Sequence, residues 1–333
     1  MHFPGKMKAF FKLIRWPNLL IVILTMVLIR YAILEPLLTR TSVTLFSIAG
    51  ASTKMALQTN WYDFAILVLA TVMITAGGYV INDYFDVRTD LINRGKVIVG
   101  TKVPRQKAMM IHNVLNIIGV AAGFYASAKI GYLWLGSIFL IVSGLLYFYS
   151  ASYKRQFLIG NLIVALMTAM VPMLVVIFEG LVLYQYYAVY AVKTPDFRVF
   201  FYWVGGFSFF AFMTTLSREI IKDIEDFEGD KEYGRNTLPV AIGILASKIV
   251  AIILITITVL AIGAAWLIFL YDYVTLIYMS VFVILPLLFI IYQLIMSRTP
   301  KQLHIASTTL KLVMLTGILY SVIVKIILNY NLI

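Results

Sequence analysis

Long apolar runs separated by short polar breaks dominate the chain, and the breaks recur at intervals that suit helices crossing a lipid bilayer. A hydrocarbon core about 30 Å thick needs roughly 20 apolar residues, each rising about 1.5 Å along a helix. Runs near 19–34, 61–82, 107–128, 132–149, 158–179, 199–217, 243–270, 273–296 and 308–329 approach or meet that length, which predicts nine spans. Ahead of them, residues 1–16 mix Lys6, Lys8, Lys12 and Arg15 with Phe10, Phe11, Leu13 and Ile14, the pattern of a short interfacial helix. The first apolar run is long for a signal peptide and no small-residue cleavage site follows it, so it reads as the first span. Residues 35–60 read as a mixed loop of little charge, and 181–198 as a Tyr-rich connecting segment. Gly77 and Gly78 predict close helix approach, or a bend, late in the second span.

Composition supports that reading. Of 333 residues 62% are hydrophobic and 13% charged, and the mean hydropathy of +0.94 lies outside the range of soluble domains. The expected class is therefore all-α, a polytopic membrane protein forming a single domain over 1–333. With no cysteine, disulfides, thiolate nucleophiles and Cys-ligated metals are excluded. His2, His112 and His304 lie far apart in sequence, which argues against zinc or haem. The net charge of +12 is dispersed among the spans rather than gathered on one basic face, so nucleic acid is not the expected partner. When the loops are assigned alternately to two sides, the N-terminal side holds 20 Lys and Arg and the other holds 7. The positive-inside rule then places the N-terminus in the cytoplasm.

Acidic residues are distributed differently. Of fifteen, three fall in 83–90 and seven in 219–232. The first window, GGYVINDYFDVRTD, sets Asp83, Asp86 and Asp90 at spacings of three and four; the second, REIIKDIEDFEGD, repeats that spacing with Asp223, Asp226 and Asp230. On an α-helix each triplet occupies a sector of about 60°, so its three carboxylates are expected to face one way. Glu225 and Glu228 fall about 200° and 140° from Asp223 and are expected to be solvated. Both triplets lie at the cytoplasmic mouths of spans, where clustered carboxylates are costly unless cations compensate them. Mg²⁺ suits such a site, because it takes one or two carboxylates and completes its octahedron with water and phosphate oxygens. A diphosphate bridged between two metal clusters is the natural ligand. Arg94 and Lys96 after the first triplet, and Arg218 and Lys222 before the second, offer cations to the remaining phosphate charge.

Asn82-Asp83-x-x-Asp86-x-x-x-Asp90 together with Asp223-x-x-Asp226-x-x-x-Asp230, on a basic nine-span chain, resembles the UbiA superfamily of intramembrane prenyltransferases. Shorter matching pieces are Arg15-Trp-Pro-Asn18, Tyr149 with Lys154, Gly160-Asn161 and Thr237-Leu-Pro239. The resemblance implies a helical bundle around a central cavity, and Mg²⁺ held by Asp83, Asp86, Asp90, Asp223, Asp226 and Asp230. It also implies transfer of a prenyl group from a polyprenyl diphosphate, with Asn18, Asn82, Arg94, Lys96, Lys154, Arg218 and Lys222 as substrate contacts. Where the family commonly reads Asn-Arg-Pro-x-Arg-Pro after the first motif, this chain has Asn93-Arg94-Gly95-Lys96-Val97.

Such chemistry needs electrophilic neutralisation of the departing diphosphate and π-faces for the developing allylic cation. Tyr149 is the candidate for the second role. The flanks of the second motif resemble the branch that geranylgeranylates geranylgeranylglyceryl phosphate; an aromatic acid or quinone precursor is the alternative acceptor. A cation transporter, from another class, would place its carboxylates near the bilayer midplane on broken helices rather than at helix mouths. An alcohol phosphotransferase would need Gly where Val87 stands.

Overall fold

A computed structural model of the protein describes residues 5–46, 52–94 and 97–330. Among these, nine helices are long and apolar enough to cross a membrane. In chain order the elements are α1 (Gly5–Leu13), α2 (Trp16–Arg40), β1 (Ser42–Thr44), β2 (Ser52–Lys54), α3 (Trp61–Phe85) and α4 (Val87–Arg94). Next come α5 (Arg105–Lys129), α6 (Leu133–Ala151), α7 (Ile159–Tyr190), α8 (Arg198–Glu225), α9 (Phe227–Glu232) and α10 (Leu238–Ile242). The last three are α11 (Ile244–Leu270), α12 (Tyr273–Met296) and α13 (Pro300–Asn329). Within a bilayer a helix satisfies its own backbone polar groups, which is why such a chain builds little else.

Several ends carry recognisable signals. Asp272 caps α12 by accepting from the Thr275 amide at 2.7 Å. Thr299 and Gln302 form a capping box on α13 with Pro300 at its first position, so this helix begins at 300 rather than near 308. The first span likewise outlasts its expected limit: Ile29–Leu34 is π-helical and Glu35–Arg40 continues it, so the expected loop over 35–60 starts only after Arg40. The fifth span runs on through the first part of the Tyr-rich segment to Tyr190.

The chain gathers into two compact units. The first comprises Met1–Ile23, Trp61–Val164 and Lys222–Ser247, and it holds both Asp motifs. Here α3 packs against α5 and α6 through small residues, the usual means of close approach between helices in lipid. A Cβ on Gly77 would lie 2.4 Å from the Asn116 side chain, so glycine is what admits that polar residue against α3. Asn116 donates to the His112 carbonyl at 2.9 Å and accepts from the Ser143 hydroxyl at 2.6 Å, which ties α5 to α6. Helix α1 buries Ala9 and Leu13, with Ile14 just after it, against Ala76, Val80, Val99 and Val103, while Lys8 and Lys12 stay exposed.

The second unit comprises Leu24–Asn60, Ala165–Ile221 and Lys248–Ile333. Its short antiparallel β1–β2 ribbon pairs Val43 with Thr53. The strands are linked to the end of α7 by backbone bonds from Phe46 to Tyr190 and from Val192 to Thr44. Residues 56–59 are held by side chains of α7: Tyr187 accepts from the Ala56 amide at 3.1 Å, and Glu179 accepts from the amides of Gln58 at 2.7 Å and Thr59 at 3.1 Å. Arg30, buried on α2, stands 3.7 Å from Glu179 and donates to the Thr59 carbonyl. Phe210 packs on Gly317, and Tyr278 lies against Tyr320.

Candidate active site

Each Asp motif is built around a break. Helix α3 ends at Phe85, Asp86 is non-helical, and α4 starts at Val87. In the same way α8 ends at Glu225 and α9 starts at Phe227, with Asp226 between them at φ −92 and ψ 9. That is the sparsely populated bridge region where active-site residues often sit. The expectation of one unbroken helical face per triplet is therefore corrected. Main-chain bonding continues across both breaks: Asp86 bonds to Asn82 at 3.0 Å and Asp90 to Asp86 at 2.8 Å, while Asp226 bonds to Lys222 at 2.8 Å and Asp230 to Asp226 at 3.1 Å. The repeated spacing in the sequence thus coincides with a repeated break, with the middle Asp at the break.

Cationic side chains of the first unit converge on these carboxylates. Arg15, whose backbone takes a left-handed φ of 51, reaches Asp83 at 2.9 Å while its guanidinium stands over the Tyr79 ring. Lys154 meets Asp86 Oδ1 at 2.6 Å and donates to Asn82 at 3.3 Å. Arg235 spans both motifs. Its Nη2 lies 2.9 Å from Asp86 Oδ1, its Nη1 lies 3.0 Å from Asp230 Oδ1, and Nη2 also donates to the Thr89 hydroxyl at 2.6 Å. Asn161 donates to Asp223 at 2.7 Å. Gly160 permits the turn that carries Lys154, because a Cβ there would lie 2.6 Å from the Lys154 Cα.

Burial and charge set the protonation states. Burial alone would raise the Asp86 carboxyl, but Lys154 and then Arg235 outweigh it and hold it below the ordinary carboxylate value. Asp230 goes the other way, raised by burial that Arg235 only partly offsets. Burial lowers the Lys154 ammonium despite Asp86 beside it.

Of the residues expected from the sequence, the structure brings Asn82, Asp83, Asp86, Lys154, Asp223 and Asp230 into these contacts. Asp90, Asp226 and Lys222 are half-buried in the same unit. Asn18 is half-buried early in α2, and its amide bonds to the Arg15 carbonyl at 2.8 Å. Tyr149 is half-buried on α6, where its neighbour Tyr147 stacks edge-on against Phe85. Arg218 belongs to the second unit and donates to Glu219 at 2.8 Å. Lys96 lies outside the described residues, as does the side chain of Arg94, whose backbone closes α4. Glu228 is exposed as expected, but Glu225 is half-buried and engaged rather than merely solvated. Sequence reasoning assigned no site role to Arg15, Thr89, Asn161 or Arg235. Arg15 and Asn161 sat inside short matching pieces, whereas Arg235 had only its place just before Thr237-Leu-Pro239 as a signal.

The donor set is oxygen from carboxylates and an amide, which fits a hard divalent cation. Among the described residues no three His, Asp or Glu side chains close round one point. Mg²⁺ is such a hard cation, taking one or two carboxylates and filling its shell with water and substrate oxygens.

Comparison with known proteins bears on the family and the fold. Residues 43–315 match the model of the UbiA prenyltransferase family. The digeranylgeranylglyceryl phosphate synthase of Methanosphaera stadtmanae is 30% identical over 266 residues, which cover 78% of this chain and 88% of that one. A solved structure from work on digeranylgeranylglyceryl phosphate synthase in membranes superposes with a TM-score of 0.59 at 21% identity, covering 96% of this chain and 99% of that one. A UbiA homolog from Archaeoglobus fulgidus, bound to DMAPP and Mg²⁺, gives 0.52 at 16% identity over 94% of this chain and 99% of that one. At those identities the two structures speak for the fold alone.

Proposed function

The chain belongs to the UbiA prenyltransferase family, and on that premise we propose that it transfers a prenyl group from a polyprenyl diphosphate to geranylgeranylglyceryl phosphate, with Mg²⁺ as cofactor. It is an integral membrane enzyme, and we read residues 1–333 as one catalytic domain. The observation that carries the reading is the joining of both Asp motifs, each broken at its middle Asp, by Arg235 within one compact unit, with Lys154 added at Asp86. The acceptor assignment draws support from the Methanosphaera stadtmanae relative, which is similar along most of its length.

In this reading Asp83, Asp86, Asp90, Asp223, Asp226 and Asp230 hold the metal, whose chemistry is to neutralise the charge that develops on the departing diphosphate. Lys154, Lys222, Arg94, Lys96 and Arg218 are assigned to phosphate oxygens, with Asn18 and Asn82 as polar contacts. The allylic C–O bond breaks with its electron pair going to diphosphate. An ether bond forms from the acceptor hydroxyl oxygen, and that hydroxyl's proton is released. Tyr149 is assigned to the cationic carbon through its π-face. The split of 20 against 7 basic residues supports a cytoplasmic N-terminus and cytoplasmic Asp motifs.

The test uses purified full-length protein in detergent with geranylgeranyl diphosphate and Mg²⁺, offered geranylgeranylglyceryl phosphate or 4-hydroxybenzoate, with products identified by mass spectrometry. A doubly prenylated glycerol phosphate that disappears in EDTA is expected. Prenylation of the aromatic acid alone would overturn the acceptor, and transfer unaffected by EDTA would overturn the metal role.

A further inference from the structure

Arg235 is held in place by its backbone before its side chain acts. Its amide bonds to the Asp230 carbonyl at 2.9 Å, and the next amide, Asn236, bonds to the Arg155 carbonyl at 2.8 Å. One short segment after α9 is thus fixed both to the second motif and to the turn that presents Lys154. From there the guanidinium divides its donors between Asp86 and Asp230, with Thr89 as a neutral third partner. The result at Asp86 is lopsided: both cations address the same oxygen, Oδ1, at 2.6 and 2.9 Å. Any dication that takes a share of this carboxylate enters against two positive charges already there, and like charges at such range repel strongly in a buried site. An incoming diphosphate changes the balance, because its oxygens match the two-pronged guanidinium as well as a carboxylate does.

We propose that Arg235 is an exchangeable crosspiece: its guanidinium bridges Asp86 and Asp230, yields Asp86 to the metal, and turns about Thr89 to the diphosphate. The inference rests on the prenyl-transfer reading of these same carboxylates and adds a competition to it. Arg235 opposes binding of the bare metal and favours binding of the metal together with diphosphate. A residue that only held the fold together would support both.

Full-length protein in detergent, titrated with Mn²⁺ and followed by electron paramagnetic resonance, reports metal binding without turnover. In R235Q the affinity for Mn²⁺ alone should rise about tenfold, the effect of removing one competing charge-assisted contact. Thermal stabilisation by Mg²⁺ plus geranylgeranyl thiolodiphosphate, an unreactive donor, should need about tenfold more ligand for the same reason. R235K keeps the charge without the fork, so it should return Mn²⁺ affinity toward wild type and leave the diphosphate defect. T89V, which removes the hydroxyl that accepts from Arg235 together with that hydroxyl's own bond to the Asp86 carbonyl at 3.2 Å, should shift both readouts in the same directions as R235Q but less; it carries the test if R235Q does not fold. Weakening of both ligands in R235Q, unchanged Mn²⁺ affinity in R235Q, or wild-type behaviour of T89V on both readouts would each overturn the crosspiece. If wild-type protein binds no Mn²⁺ and gains nothing from metal plus thiolodiphosphate, the prenyl-transfer reading of the carboxylates fails, and the crosspiece falls with it.

Discussion

Replacing Gly160 with alanine adds one methyl group at a point where the backbone leaves no room. The new Cβ would lie 2.6 Å from the Lys154 Cα and 3.1 Å from both the Lys154 amide nitrogen and the Tyr153 carbonyl oxygen. Carbon atoms pack comfortably at about 3.5–4 Å, so the turn must retreat by roughly 1 Å. The neighbours are main-chain atoms, which cannot rotate away as a side chain could. Carried to the end of Lys154, such a shift stretches the 2.6 Å contact with Asp86 past hydrogen-bonding range. Overpacking costs about 1–3 kcal/mol, and losing a charge-assisted hydrogen bond about 1.5–3 kcal/mol, with Arg235 still covering part of the Asp86 charge. The expected outcome is a protein less stable by about 1–3 kcal/mol whose kcat/KM for the prenyl diphosphate falls roughly tenfold or more. Gly144, a helical glycine of α6 in the same unit with nothing within 4 Å of its added Cβ, is the control. Gly144→Ala should be neutral or more stable by up to about 1 kcal/mol, since alanine is the better helix former. Thermal unfolding in detergent and initial rates with labelled donor measure both variants. If Gly160→Ala behaves like Gly144→Ala, the Lys154 turn does not depend on that close approach, and the local account of the site is wrong.

Two further outcomes follow from the same reasoning. Asp226→Ala should lower prenyl transfer at saturating Mg²⁺ by roughly a hundredfold or more, whereas exposed Glu228→Ala should stay within about threefold, because a screened surface charge contributes little; equal losses would mean that the middle Asp of the second motif has no special role. For orientation, cysteine at exposed Thr101 should react with an impermeant maleimide only from the cytoplasmic side, and cysteine at exposed Thr194 only from the other; labelling of both from one side would refute the alternating topology.

The spans were legible because lipid removes alternatives: an apolar run of bilayer length has little else it can become. Their ends were not. Glu35 and Arg40 look like loop residues, yet the first helix carries them because Glu35 meets Lys325 and the helix adjusts through a π-helical stretch. The Tyr-rich segment after 179 suggested an earlier stop for α7, but a membrane helix tolerates both those tyrosines and Pro172 within it. The carboxylate spacing disclosed which residues to watch, and it could not disclose that each middle Asp sits at a break between two helices. Arg235 shows the deeper limit. Its partner Asp86 is 149 residues away, and no local pattern marks one arginine among 27 basic residues as the one that will arrive there.

Burial of an acid therefore does not by itself identify a reactive one, and the chain holds an instructive pair. Glu179 is as deeply buried as any carboxylate described, 2% exposed against 9% for Asp86, and it too faces an arginine. Its Oε1, however, is occupied by two backbone amides, those of Gln58 and Thr59, and the Arg30 opposite it is itself committed to the Thr59 carbonyl. Releasing Glu179 would strip main-chain donors of their partners and free the 56–59 segment, at the full desolvation cost of each orphaned amide. Asp86 is held instead by the far ends of Lys154 and Arg235, long side chains that rotate through several bonds while the backbone stays still. A carboxylate bonded to amides is a fastening, and one bonded to mobile cations can change partners. On the proposed function, a site that must accept and release a metal diphosphate at every turnover requires the second kind, which is the kind that the first motif offers at Asp86 and the deeper acid of α7 does not.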